Sequence, residues 1–184
     1  GIVHRLDKDT TGLLVVAKSD SAHRHLADQL KAHRIQRRYS ALVGGRPDEE
    51  RGWVDAPIGR NSRERRKMAV NPNGRPAMTH FQVERRYEFT ALLDLRLETG
   101  RTHQIRVHLQ HRGHPVFGDP IYAGRNQVRG ILPRHRDRAR QMLGRIERQA
   151  LHARELSFVH PRSGEFVEFS APLPEDFAAV LQTA

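Results

Sequence analysis

Residues 79–99 read THFQVERRYEFTALLDLRLET, and no other stretch constrains the architecture as strongly. Its second half alternates Leu93, Leu95 and Leu97 with Asp94, Arg96 and Glu98, the period of two expected of a strand with one buried and one wet face. Thr79 to Tyr87 supplies the opposing arm, so a hairpin turning near Glu88 and Phe89 is predicted. Downstream, Thr102 to Arg112 changes to helical spacing with Ile105 and Leu109 on one stripe, and Gly113 stops it. Upstream, Tyr39 to Val43 reads as a strand closed by Gly44 and Gly45. Trp53 to Ile58 reads as another, followed by an Arg-rich loop over 59–67.

The outer segments extend the same pattern. Gly12 to Lys18 (GLLVVAK) is short and apolar and reads as a buried strand. Ser19 or Asp20 can cap the next helix, whose apolar face is Ala22, Leu26 and Leu30. A Pro- and Gly-rich loop runs through Pro115, Gly118 and Pro120 to Tyr122, and 134–148 reads as a basic helical insert. Leu151 to Val159 and Phe166 to Phe169 should pair across Ser163 and Gly164, before a short helix from Pro174. Strands outnumber helices and mix with them irregularly. The expected class is therefore α+β, with a mixed, mostly antiparallel sheet and flanking helices. No repeat, low-complexity tract or linker divides residues 1–184, which read as one domain.

Charge narrows the partners. The 184 residues carry 32 Lys and Arg against 21 Asp and Glu, a formal net charge of +11. Such a field attracts polyanions, and nucleic acid is the commonest partner for a domain of this kind. Basic residues cluster at Arg34, Arg37 and Arg38, at Arg60 to Lys67, and from Arg134 to Arg148. One such run is usually a solvated face; three favour nucleic acid over an anionic membrane, for which no amphipathic anchor is evident. With no cysteine, thiolate catalysis, disulfides and Cys-based zinc sites are excluded within this sequence, and a reducing, cytoplasmic setting is expected. No apolar run is long enough to cross a bilayer, and the first residues do not form a signal peptide.

Four places could carry chemistry. His4 to Gly12 puts Asp7 and Asp9 among cations and hydroxyls just before an apolar run, either a charged surface turn or a site held by a sheet. Gly100 to His108 brings Arg101, Thr102, His103 and Gln104 to a helix start, where free N–H groups favour anions. Arg106 lies on the same face as Thr102 and could reach a carboxylate. His103, His108, His111 and His114 are dense, but their spacing and the lack of a nearby acid argue against a metal site. Tyr39, behind Arg37 and Arg38, could stack on a base or simply sit in the sheet. Composition and spacing lead to a basic α+β domain suited to RNA, with an acidic loop, and stop short of a reaction.

The motifs go further. HRLDKDTTGLLVVAK (4–18) resembles the signature of the RluA-type pseudouridine synthases, most closely their ribosomal large-subunit synthase D branch. RRYSALVGG (37–45), GRTHQIRVHLQHRGHPVFGDPIYAG (100–124) and ALHARELSFVHPRSGE (150–165) are similar to further family motifs in the same order. The resemblance covers essentially the whole chain. It implies the pseudouridine synthase catalytic fold and isomerisation of uridine in RNA, with large-subunit (23S-type) ribosomal RNA as substrate. It implies that Asp7 is the catalytic carboxylate, that Tyr39 packs on the target uracil, and that Arg106 pairs with the carboxylate. Arg5 corresponds to the arginine that fills the gap left by the flipped nucleotide, and Leu151 to a pocket-lining apolar residue. His4, Arg101, His103 and Gln104 fall in the same motifs and are expected at the RNA.

No cofactor and no metal are implied, and a monomer is expected. The family also implies an opening strand segment with a Lys-Pro-Gly type motif and often an S4-type module before His4. Neither is in this sequence, so residues 1–184 are expected to be the catalytic domain without them. Two rivals remain. An RNA-binding-only fragment shares every basic cluster but would form no product. A metal or His-dependent hydrolase would be chelator-sensitive.

Overall fold

The computed structural model describes residues 1–126 and 131–184. The elements are β1 (Thr11–Gly12), α1 (Asp20–Lys31), β2 (Gln36–Gly44), β3 (Arg51–Asp55), β4 (Ile58–Arg60), β5 (Met68–Val70), β6 (Met78–Arg86) and β7 (Thr90–Leu97). Then follow α2 (Gln104–His111), a 3-10 turn (Pro133–His135), α3 (Arg136–Gly144), β8 (Leu151–Val159), β9 (Phe166–Ser170) and α4 (Glu175–Thr183). The main sheet runs β1-β8-β2-β7-β6-β3, with β9 also on β8, while β4 and β5 make a separate hairpin. Only the β1–β8 pairing is parallel among the described strands. The class is the expected one: α+β, mostly antiparallel, with flanking helices.

The central hairpin forms as expected; Arg86 lies opposite Ala91 and Arg85 opposite Leu92, and a bulge at Glu84 then shifts the pairing to Val83 opposite Leu93, Phe81 opposite Leu95 and Thr79 opposite Leu97. Alternation then sorts the sheet into two faces. Tyr39, Ala41 and Val43 of β2 and Leu93 and Leu95 of β7 pack on one face with Ile105 and Leu109 of α2. Leu42 faces the other way, into a cluster with Ala139 and Met142 of α3 and Phe177 and Val180 of α4. The helix over residues 20–31 starts as read, its N-cap Ser19 accepting from the Ala22 N–H at 3.2 Å.

A bulge decides where α1 lies. In the β2–β8 ladder Tyr39 pairs with Ala153 but Arg38 with Glu155, which leaves Arg154 as the extra residue. The insertion resets the alternation, so Leu156, opposite Arg37, points to the same side as Leu151 and Ala153. Leu156 and Phe158 there meet Leu26 of α1. Both α1 and α2 therefore sit on one face of the sheet, with a gap between the end of the first and the start of the second.

Two sequence expectations change. Gly12 to Lys18 is not a buried strand: only Thr11 and Gly12 join the sheet, and Leu14 and Val16 are exposed. Gly12, at φ +109°, turns the chain out of the ladder, and Val16 then bridges to Ile2. Trp53 to Ile58 is two strands, because Pro57 has no N–H to continue the ladder. Ile58 to Arg60 pairs instead with Met68 to Val70, so the Arg-rich loop is the tip of a hairpin. No helix among the described residues is long and apolar enough to cross a membrane.

Candidate active site

A cavity of about 640 Å³ fills the gap between the end of α1 and the start of α2. Its floor is β2 and β8, through Tyr39 and Leu151, and its wall includes His4, Arg5, Asp7, Arg101 and Gln104. The segment carrying Asp7 is clamped at both ends. The His4 ring, buried, accepts from the Val15 N–H at Nε2 (3.2 Å), and burial lowers its pKa to about 4, so it braces the loop as a neutral group. Gln149 donates to the Lys8 carbonyl (2.7 Å) and the Thr10 hydroxyl (3.0 Å), and β1 locks onto β8. Gly12 is required there, since a Cβ would collide with the Ala153 carbonyl oxygen. Asp7 is left partly buried beside the cavity, and Arg5 is exposed at its rim.

The cation near Asp7 comes from α2. Arg106, 2% exposed, places Nη1 at 3.5 Å from Asp7 Oδ2. Its closer partner is Asp119: Nε donates to Oδ2 at 2.6 Å and Nη2 to Oδ1 at 3.0 Å. Asp119 has no exposed surface, and its Oδ1 also accepts from the backbone N–H groups of Ile121 and Tyr122 at 2.8 and 3.0 Å. Burial works against the Arg106 charge, but the hydrogen bonds and charge of Asp119 outweigh it and raise the pKa. The Tyr122 ring lies beneath the guanidinium, 4.9 Å from its carbon to the ring centroid. Arg106 is thus fixed by Asp119 and offers its remaining edge to Asp7.

His103 joins the same network. It caps α2 in the left-handed region (φ 56°, ψ 23°), a conformation a residue with a Cβ rarely adopts and one that concentrates at functional sites. Tyr122 accepts at its hydroxyl from the Met68 N–H at 3.0 Å and shares a hydrogen bond with His103 Nδ1 at 2.8 Å. The β4–β5 hairpin is thereby tied to the site. Burial lowers the pKa of His103, and the nearby Asp7 raises it by less.

Gln104 corrects an expectation. Its Nε2 donates to Met78 O and Thr79 Oγ1 (2.9 and 3.0 Å), and its Oε1 accepts from the Thr99 hydroxyl and the Arg101 N–H (2.7 and 2.9 Å). Both donors and both acceptor positions of the amide are used, so Gln104 sets the start of α2 and has nothing to spare for RNA. The histidines around it disperse in the same way. His108 is buried, taking the Thr79 hydroxyl at Nδ1 and donating from Nε2 to Ala56 O (both 2.9 Å), and His114 bonds Gly44 O at 3.1 Å. Among the described residues, no three His, Asp or Glu side chains are gathered as a metal would need.

The candidate residues therefore meet in one place, His103 and Arg106 from behind Asp7 and the others around the cavity. The sequence reading missed Asp119 and Tyr122. An aspartate between Gly118 and Pro120 looks like an ordinary turn former. The available signal was the need itself: a second arginine at a buried helix position requires a carboxylate, and the following loop holds one.

Residues 1–111 match the family described as RNA pseudouridylate synthase. Over 182 residues the chain is 52% identical to a Chloroflexus aurantiacus protein named "Uncharacterized RNA pseudouridine synthase", covering 99% of this chain and 52% of that one. It is also 52% identical to the "Ribosomal large subunit pseudouridine synthase D" of Nitrosomonas europaea, covering 99% and 50%. The chain thus spans about half the length of the curated relatives it matches. Among solved structures, "Human RNA Pseudouridylate Synthase Domain Containing 1" superposes with a TM-score of 0.73 at 32% identity, over 93% of this chain and 68% of that one. By sequence and by fold, the chain belongs to the RNA pseudouridylate synthase family.

Proposed function

We propose that this chain is the catalytic domain of an RNA pseudouridine synthase, acting on large-subunit ribosomal RNA as a monomer in the cytoplasm. The observation that carries the reading is a single one. A carboxylate, Asp7, stands in a cavity floored by Tyr39 and Leu151 and is met by an arginine that a second, buried carboxylate holds in place. Its relatives named for large-subunit RNA support the substrate.

The chemistry asked of the site is an isomerisation. The N1–C1′ bond of a uridine breaks, the base turns, and a C5–C1′ bond forms, with the C5 hydrogen leaving as a proton and N1 regaining one. No atom is gained or lost, so no redox partner or group donor enters. The target must leave its stack to be reached. Tyr39 and Leu151 offer an apolar slot for the base, and Arg5, exposed at the rim, fills the vacated position in this reading. Burial raises the Tyr39 pKa, which keeps the phenol neutral against the base. Asp7 acts as an ionised carboxylate, either as nucleophile at C1′ or as the base that takes the 2′ proton. Arg106 supplies the countercharge either route needs.

The test is tritium release from large-subunit rRNA labelled at uracil C5, comparing the chain with Asp7→Asn. Release that disappears in the variant while RNA still binds is the expected result. Equal release from both proteins would overturn the role of Asp7. No release from either, with RNA bound, would mark a binding-only module.

A further inference from the structure

A second buried arginine, Arg37, lines the cavity, and among the described residues it has no partner. Arg37 is 6% exposed, yet no described carboxylate forms an ion pair with it, and none of the described residues accepts a hydrogen bond from its guanidinium. Its Nε is fully enclosed with no acceptor. The rest of the group lies along the cavity, against Gly100, where a Cβ would come within 2.6 Å of Nη1. The contrast with Arg106 is direct. Both arginines are buried on the same face of the fold, but one is matched to Asp119 and the other to none of the described residues. A buried charge without a countercharge is strongly unfavourable, and burial lowers the Arg37 pKa with only Tyr39 opposing it. Such a group persists where a ligand completes it.

What completes it follows from the surroundings. Arg37 stands two residues before Tyr39 on β2, so both side chains project to the cavity side of the sheet. Lys31, His33 and Arg101 line the same cavity, which reaches the end of α1. Two acids also line the cavity, and each already has a partner: Asp7 meets Arg106 at 3.5 Å and Glu98 is bonded to His80 at 2.6 Å. A nucleotide whose base lies over Tyr39 brings its backbone phosphates with it. We infer that Arg37 is a phosphate-binding residue of the RNA site, taking a phosphodiester oxygen beside the flipped nucleotide. The inference rests on the proposed RNA function.

The test uses Arg37→Met, which keeps the stem and removes the charge, and Arg37→Lys, which keeps the charge. Kd for a large-subunit rRNA fragment is measured across salt concentrations, together with KM and kcat for tritium release and the melting temperature. For Arg37→Met, affinity should weaken roughly ten-fold, as for the loss of one charge-assisted hydrogen bond. The salt slope should shrink by about 0.7–0.9, as when one phosphate is no longer neutralised. KM should rise with kcat largely kept, and the melting temperature should hold or increase. Arg37→Lys should recover most of the slope. A lower melting temperature with unchanged Kd would make Arg37 structural and overturn the inference. So would an unchanged Kd with reduced kcat, which would place its charge on the departing base. A wild-type chain that binds but releases no tritium would sink the synthase reading, while the Kd and slope still decide the role of Arg37.

Discussion

At the scale of single residues, the site depends on a carboxylate that never touches the cavity. Asp119 holds Arg106 with two hydrogen bonds, and Arg106 in turn meets Asp7. Asp119→Ala would leave a guanidinium buried without its main countercharge, a change that costs about 3–5 kcal/mol. Asp119→Asn keeps the shape but lets the guanidinium lean toward Asp7. We expect Asp119→Ala to lower the urea midpoint sharply, and Asp119→Asn to fold with reduced kcat and near-normal RNA affinity. An Asp119→Ala protein as stable as the parent would show that Arg106 finds another partner. Asp7, Tyr39 and Leu151 stand out in the sequence because whole motifs surround them, and the fold gathers the three at one cavity. Asp119 was not, because its meaning lies in a bond across 13 residues to Arg106. Gln104 misled for the opposite reason: a polar residue in a functional motif reads as ligand-facing, and only the geometry shows its amide spent inside the protein.

At the scale of elements, regular periodicity was readable and departures from it were not. The 79–99 hairpin and α1 follow simple repeats and formed as expected. The apolar run after Gly12 did not become a sheet strand, because one positive φ redirects the chain and spacing carries no record of that. The Arg-rich segment was read as a loop but stands on a short two-stranded base. Arg63, Arg65 and Arg66 are exposed at its tip, while Lys67 pairs with Glu64 at 2.9 Å. Met68 ties the hairpin to Tyr122 and so to His103. The basic segment 134–148 differs: Arg138 bonds Glu88, Arg140 bonds Asp137, and Arg148 grips Asp176. Much of its charge is therefore engaged within the protein. Replacing Arg63, Arg65 and Arg66 together with Ala should weaken RNA binding and reduce the salt slope by about 0.7–0.9 for each phosphate left without its arginine. Stability should change by no more than about 0.5 kcal/mol per site. An unchanged slope would remove this hairpin from the RNA footprint.

At the scale of the whole molecule, class and charge were legible, but the placement of the cavity was not. It depends on the extra residue Arg154 in β8, which puts α1 on the same face as α2; the apolar positions change phase there, from Leu151 and Ala153 to Leu156 and Phe158, but spacing alone does not say what packs on the reset face. The same packing gives the fold a predictable response to acid. Burial lowers the pKa of His4, to about 4, and also those of His103, His108 and His152. In the unfolded chain each histidine returns to about 6.5. Between the folded and unfolded values the unfolded state binds more protons, so stability rises with pH across that window. The contribution is complete above about pH 6.5 and is lost as the pH falls below that, for His4 toward about 4. Each added proton also raises the charge of a chain already at +11, which works in the same direction. Asp176, lowered by its bonds to Arg148 against the opposing effect of burial, acts in a separate range, below its ordinary value of 3.8. The urea midpoint at constant ionic strength should therefore fall between about pH 6.5 and about pH 4.5, before the carboxylates contribute. His108→Gln should flatten part of that slope, since the buried imidazole between Thr79 and Ala56 no longer has to stay neutral. A midpoint constant across that range would mean that the four rings take up protons as easily in the fold as out of it, and that their burial carries no acid sensitivity.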